Sequence, residues 1–288
     1  MAHSKFRVAA AAIVLCLMRI DSARSQEGPR KSVVAVRPLA EASILLEERY
    51  GKVVTYEEPV LTWGGELEEI PGKSGTKGYL YAKPQGFLMP SEAGQGSDLA
   101  LALQKTLSAY HQQTTGTRFQ VLTSRLGYHI VPLQVHDSNG AFVPANSLLD
   151  AQIYIPNEAR SARGHLQAFG AAVTAATGIP LDVSALPYQP QGFDNVFRAR
   201  PERFTWGTEP KVARDALIDL LGMSATTFSW RLRCQASLQS DGRSCALDLA
   251  PIAVSITNAS GQSDKAVLWF DRCGDCPPPR QAPPPPAR

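Results

Sequence analysis

The chain has 288 residues, of which 19% are charged, with a formal net charge of +3 and five cysteines. That surplus belongs entirely to residues 1–25, where Lys5, Arg7, Arg19 and Arg24 face the single acid Asp21. The remainder is neutral and lacks a Lys/Arg cluster, which excludes an electrostatic footprint for nucleic acid or an anionic membrane surface.

Residues 1–25 join a basic start to an apolar run, Val8 to Met18, and to Ala23-Arg24-Ser25 before Gln26. This pattern predicts a secretory signal peptide cleaved after Ser25. The run falls short of the ~20 apolar residues that cross a bilayer, so no stable membrane insertion is expected after cleavage. Cys16 follows Val14-Leu15 rather than a small residue, which argues against lipidation. The mature chain is expected to be exported, to the periplasm or beyond, and is long enough to bury a sizeable core.

Val33 to Val36 has strand composition, and Pro38 suits the first turn of a helix, where its missing N–H is no loss. The apolar spacing from Leu39 to Leu46 predicts that helix, closed by Gly51 and followed by a strand at Val53 to Tyr56. From Pro59 to Gly96 the sequence predicts hairpin and loop, with strand islands at Tyr79 to Tyr81 and Phe87 to Met89. Ser97 and Asp98 are N-caps for a helix through Leu99, Leu103, Leu107 and Tyr110 that ends near Thr115-Gly116. A hairpin follows, Phe119 to Leu122 with Tyr128 to Val131, and Asp137-Ser138-Asn139-Gly140 marks a turn. Leu149 to Ile155 reads as a strand stopped by Pro156. An Ala-rich helix leads through Thr177-Gly178 to a strand at Ile179 to Val183. Ala213 to Gly222 predicts a helix that leads to Thr227 to Leu232, then to a cysteine hairpin and a strand within Ala246 to Ile256. Seven of the last twelve residues are proline, a polyproline II tail without a core.

One pattern therefore recurs: apolar helix, Gly turn, strand, clearest at residues 39–56, 166–183 and 213–232 and looser at 99–122. Thr62-Trp63-Gly64 and Thr205-Trp206-Gly207 form a second echo. The reading is an α+β fold of repeated helix-turn-strand units packed on small mixed or antiparallel sheets, with a disordered proline-rich C-terminal tail. Its expected parts are a signal peptide (1–25), a first half (26–186), a linker (187–193), a second half (194–270) and a Cys-x-x-Cys and proline tail (271–288).

A leucine-rich helix, a Tyr-Gly or Thr-Gly turn and a strand such as Val53-Val54-Thr55-Tyr56 resemble the short N-terminal module of secretins and TonB-dependent receptors. The whole chain is similar to a group of uncharacterised secreted bacterial proteins built from such units. Leu148-Leu149-Asp150, Ala213-Arg214-Asp215-Ala216-Leu217 and Phe228-Ser229-Trp230-Arg231-Leu232 carry that similarity. The resemblance implies small α+β units that dock other envelope proteins, with another envelope protein as partner and no enzymatic residues. The chain has neither an outer-membrane barrel nor a secretin core following the module.

Four cysteines remain after cleavage, an even number suited to an oxidising compartment. Cys234 and Cys245 flank a turn-rich segment, and a hairpin there would place them opposite one another as a structural disulfide. Cys273-Gly274-Asp275-Cys276 has oxidoreductase spacing, but Pro277 to Pro279 cannot form the helix that activates the first thiol. A small local disulfide is the better reading. Ser74 and Lys77 match S-x-x-K, yet Gly and Pro surround them where that chemistry needs a helix start. Gly94-Gln95-Gly96 lacks the third glycine of a dinucleotide turn, and helix capping accounts for it.

His111, His129, His136 and His165 share no metal-ligand spacing, although His129 and His136 could meet across neighbouring strands. Glu47-Glu48, Glu57-Glu58 and Glu68-Glu69 are adjacent carboxylates that point apart and read as solvated surface. No cofactor, metal or catalytic residue is assigned. The leading reading is an exported, non-catalytic binding or assembly module of the bacterial envelope. The alternatives are a secreted hydrolase with a cleft between the halves, or a thiol oxidoreductase using Cys273 and Cys276.

Overall fold

The computed structural model describes residues 31–60, 64–70, 79–90, 98–185, 203–224, 226–236, 243–257 and 263–267. The signal peptide and Ser25, Trp63, the Ser74–Lys77 pair, Gly94–Gly96, the 187–193 linker, Cys273, Cys276 and the proline tail lie outside the described residues.

The chain is α+β and is built twice over on one plan. In the first unit β1 (Lys31–Ala35) leads to α1 (Pro38–Tyr50) and β2 (Val53–Glu57); β5 (Gln85–Met89), α2 (Leu99–Gln113), β6 (Arg118–Thr123) and β7 (Gly127–His136) complete it. Between β2 and β5 a hairpin is inserted, β3 (Leu67–Ile70) with β4 (Tyr79–Ala82). β1 pairs antiparallel with β5, β2 parallel with β7, and β6 antiparallel with β7.

After β8 (Phe142–Pro144) the second unit repeats the order. It runs β9 (Gln152–Arg160), α3 (Ala162–Thr177), β10 (Leu181–Ala185), β11 (Phe204–Val212), α4 (Ala213–Leu221), β12 (Phe228–Ala236) and β13 (Arg243–Pro251). Its pairings match one for one: β9 antiparallel with β11, β10 parallel with β13, β12 antiparallel with β13. A last hairpin joins β14 (Ala253–Thr257) to β15 (Ser263–Val267).

Local chemistry sets the repeated elements. α1 and α3 both end on a glycine in the left-handed region, Gly51 at φ 61° and Gly178 at φ 71°, a conformation that a Cβ disfavours. Their N–H groups close the last turns on Glu47 and Thr174. Asp98 caps α2 through the Ala100 N–H, and Ser161 caps α3 through the Gly164 N–H. In each unit the helices lie between the two-stranded and the three-stranded sheet. The first core joins Val33, Leu39, Leu46, Phe87, Leu103 and Leu107 to Val54, Tyr56, Phe119 and Ile130. The second joins Ile153, Leu166, Phe169, Trp206, Leu217 and Leu220 to Phe228, Trp230, Leu232 and Leu247.

The three-stranded sheets are not separate. β12 pairs parallel with β2, giving one sheet in the order β10-β13-β12-β2-β7-β6, with β8 added on β7. Arg231 lies opposite Tyr56 across that junction. Paired residues share a face, so Trp230 points away from the side to which Tyr56 points. The helices of the two units therefore cover opposite faces of one sheet.

Three expectations change. Strands on either side of 187–193 share sheets, β9 with β11 and β10 with β13, and the two cores part between Ile130 and Leu148. Residues 148–150 form a 3₁₀ turn capped by Ser147 and Asp150, and β9 runs on through Pro156 to Arg160. Proline is tolerated there because the β9–β11 register shifts between Trp206 and Thr208, leaving Pro156 in the irregular stretch. A Cβ on Gly207 would lie 2.6 Å from the Asn157 backbone, so the same irregularity requires glycine opposite. Finally, His129 and His136 both belong to β7, about 23 Å apart at the usual rise per residue, and do not face each other across strands.

Cys234 and Cys245 are directly opposite on β12 and β13 with Cα atoms 4.1 Å apart, and their sulfurs are bonded. Among the described residues no helix is long and apolar enough to cross a membrane.

Candidate functional site

The junction between the units gathers the polar chemistry of the molecule. β2 ends on Glu57 and Glu58 follows it directly, and alternation sends the two acids to opposite faces. Glu57 goes toward the second unit, where it is fully buried and accepts from Arg214 at the start of α4 at 2.8 and 2.7 Å. The same guanidinium reaches Asp150 of the 3₁₀ turn at 2.7 Å, and Trp230 Nε1 donates to Glu57 at 3.3 Å. Burial works against the charge on Arg214. The bonds and field of Glu57 and Asp150 outweigh it and hold the guanidinium protonated beyond its ordinary range.

On the other face, Glu47 of α1 is bound by Arg231 and by Ser229 Oγ at 3.1 Å, and accepts the Val54 N–H at 3.0 Å. Glu58 pairs with Arg37 and accepts the Cys234 N–H at 2.6 Å. Burial raises both carboxyls above the ordinary range, against the opposing pull of Arg231 on Glu47 and of Arg37 on Glu58. The expectation of solvated surface is thus corrected for Glu47, Glu57 and Glu58, while Glu48 is half-exposed. Only cationic partners supplied by the other unit, or by Arg37, make their burial tolerable. Glu68 stays exposed as expected.

These contacts collect the segments whose sequence carried the resemblance. Asp150, Arg214, Trp230 and Arg231 come from three separated stretches and converge on β2. Their charges gave no sign of it in the sequence, because an Arg at a helix start and an acid in a strand are each ordinary surface residues.

His129 is the buried histidine of this junction. It stacks on Trp230 with ring centroids 5.0 Å apart, and its Nδ1 and Nε2 lie 2.8 Å from Thr55 Oγ1 and 2.7 Å from Ser124 Oγ. Burial, aided by Arg214, lowers its pKa to about 4. A Ser–His contact invites comparison with an acyl-transfer nucleophile, but a base this weak is far from the neutral range in which such a group works. The Nδ1 partner is a hydroxyl rather than an orienting carboxylate, and Ser124 Oγ also accepts the Leu126 N–H at 3.0 Å. The arrangement packs and orders the junction.

The other histidines are dispersed. His165 lies buried in the second core with Nε2 2.7 Å from the Phe204 carbonyl oxygen, and His111 Nε2 accepts the Phe119 N–H at 3.0 Å. His136 packs at a tilt against Phe142, with ring centroids 4.0 Å apart. Among the described residues no cluster of histidine, cysteine and carboxylate has the geometry to hold a metal ion.

The sheet ends in two unpaired strands among the described residues, β10 and β6. Beside β6 a groove of about 570 Å³ opens between the edge strand and α2, lined by Ala100, Gln104, Ser108, His111, Val121 and Thr123 among others. Its walls mix apolar side chains, Leu107, Val121 and Tyr128 among them, with the uncharged polar groups of Gln104, Ser108 and Thr123, and burial keeps the His111 imidazole below its ordinary pKa.

Comparison of the chain with protein-family models, curated proteins and solved structures finds no match.

Proposed function

We propose that the chain is an exported, non-catalytic binding or assembly module of the bacterial envelope, made of two units of the kind that the short N-terminal module of secretins and TonB-dependent receptors resembles. The observation that carries the proposal is the sheet with an unpaired strand at each end among the described residues. Such edges present backbone N–H and C=O groups to an incoming strand. The Cys234–Cys245 bond favours an oxidising compartment, in line with the signal-like start of the sequence. The convergence of charge at the junction joins the units, with Glu47, Glu57 and Glu58 each held by an arginine.

The test is affinity capture from envelope extract by the mature chain, residues 26–288, beside a chain ending at residue 270. A discrete envelope protein retained by both is the expected result. Retention of nothing, or a chain that stays in the cytoplasm when expressed with its first 25 residues, overturns the proposal.

A further inference from the structure

The two units join in a manner that leaves its own complement open. Each three-stranded sheet has the same order: the strand after the first helix at one edge, the last strand in the middle, and the strand after the second helix at the other edge. The junction pairs the second type of edge, β12, with the first type, β2, in parallel. Among the described residues, what remains at the ends of the sheet is again one edge of each type, β6 and β10.

The groove beside β6 is the counterpart of the place that β2 fills beside β12. Matching the buried residues of α2 and α4 sets Leu99 with Ala213, Leu103 with Leu217 and Leu107 with Leu221. Arg214 and Ile218, buried in α4, then correspond to Ala100 and Gln104, which are exposed on α2 and line the groove. The backbone agrees. Ser124 bonds Gly127 on β7, so alternation turns the polar groups of Phe119, Val121 and Thr123 to the outer edge. The Phe119 N–H is already donated to His111, which leaves Val121 and Thr123 to offer theirs to an added strand. Val121 matches Leu232 through their partners Ile130 and Leu247, and the Leu232 carbonyl accepts the Glu58 N–H at the junction.

β10 matches β2 in the same way. Leu181 and Val183 pack on their own unit's core, as Val54 and Tyr56 do on theirs, which places the exposed Asp182 where β2 has Thr55. On a second copy set parallel to β6, that carboxylate arrives beside Gln104, Ser108 and His111. With Nε2 of His111 accepting from Phe119, its Nδ1 is left as a donor.

We infer that copies of this chain associate head to tail, β10 of one adding in parallel to β6 of the next and its Asp182 entering the groove on α2, so that the internal junction is repeated between molecules. The inference rests on the assembly reading above and names its partner as a second copy. Because the two edges differ, the contact is heterologous and does not stop at a dimer.

Sedimentation velocity of the mature chain from micromolar to submillimolar concentration tests this. The expected result is a weight-average mass that climbs past two copies. Ser108→Glu, at an exposed position, sets a carboxylate against Asp182 and should weaken association at least about tenfold. Ser108→Glu combined with Asp182→Lys in one chain should restore it. A monomer throughout, a plateau at two copies, or association unchanged by Ser108→Glu overturns the inference. A monomer that still captures an envelope protein overturns it while the docking reading stands, whereas a chain that neither associates nor captures anything removes both.

Discussion

Replacing Arg214 by methionine keeps most of the side-chain volume and removes the charge. Glu57 has no exposed surface and loses both bonds to the guanidinium, at 2.8 and 2.7 Å, retaining the 3.3 Å contact from Trp230. Removing one partner of a buried ion pair costs about 3–5 kcal/mol, because the remaining charge stays desolvated. For a chain of this size each kcal/mol is worth roughly 2–4 °C, so the melting temperature should fall by roughly 6–20 °C. Urea unfolding is followed by tryptophan fluorescence, to which Trp230 contributes as one of four tryptophans. The paired change Glu57→Leu with Arg214→Met should recover most of the loss, since a buried pair replaced by apolar residues of similar size is close to neutral. A loss below about 1 kcal/mol in Arg214→Met would show that the junction does not depend on this pair.

Three further outcomes follow from the same structure. His129 has its pKa lowered from 6.5 to about 4, so the unfolded chain binds the extra proton between those values. Its contribution is complete above about pH 6.5 and is lost as pH falls toward 4, by up to about 3 kcal/mol; Glu47 and Glu58, with raised pKa values, act in the opposite sense. His129→Gln should flatten the acid side of a stability profile measured by urea midpoints, and an unchanged slope would refute this account. Breaking the Cys234–Cys245 bond, which closes a separation of 11 residues, with Cys234→Ser and Cys245→Ser should cost about 3 kcal/mol, read as the difference in urea midpoint with and without the bond. Gly207→Ala drives a Cβ to within 2.6 Å of the Asn157 backbone and should cost more than about 2 kcal/mol by the same assay; a neutral effect would mean that the β9–β11 irregularity can relax.

Much of the secondary structure was legible. Helix starts at Pro38 and Asp98 and helix ends at Gly51 and Gly178 depend on groups within a turn of one another, and the Phe119–Val131 and cysteine hairpins depend on a short connection. The recurring helix, Gly turn and strand also proved to be two kinds of repeat. Residues 39–56 match 166–183, and residues 99–122 match 213–232, as first and second helices of the duplicated unit. Trp206 of the second echo belongs to β11, whose counterpart is β5, while Trp63 lies outside the described residues. Candidate-site residues were far less legible. Glu57 and Glu47 looked like surface carboxylates because nothing near them in sequence neutralises them.

The sequence by itself determined the described helices and several strands, since caps, turn glycines and apolar spacing act over a few residues, but not the course of β9 through Pro156. It also determined that Cys234 and Cys245 would be opposite one another, through the hairpin between them. Only the tertiary structure decided that β12 lies against β2, that the helices of the two units cover opposite faces, and that Arg214 meets Glu57 across a separation of 157 residues. Those outcomes depend on which edges find each other and on how a buried charge is matched. A long-range pairing of that kind leaves no periodic trace along the chain.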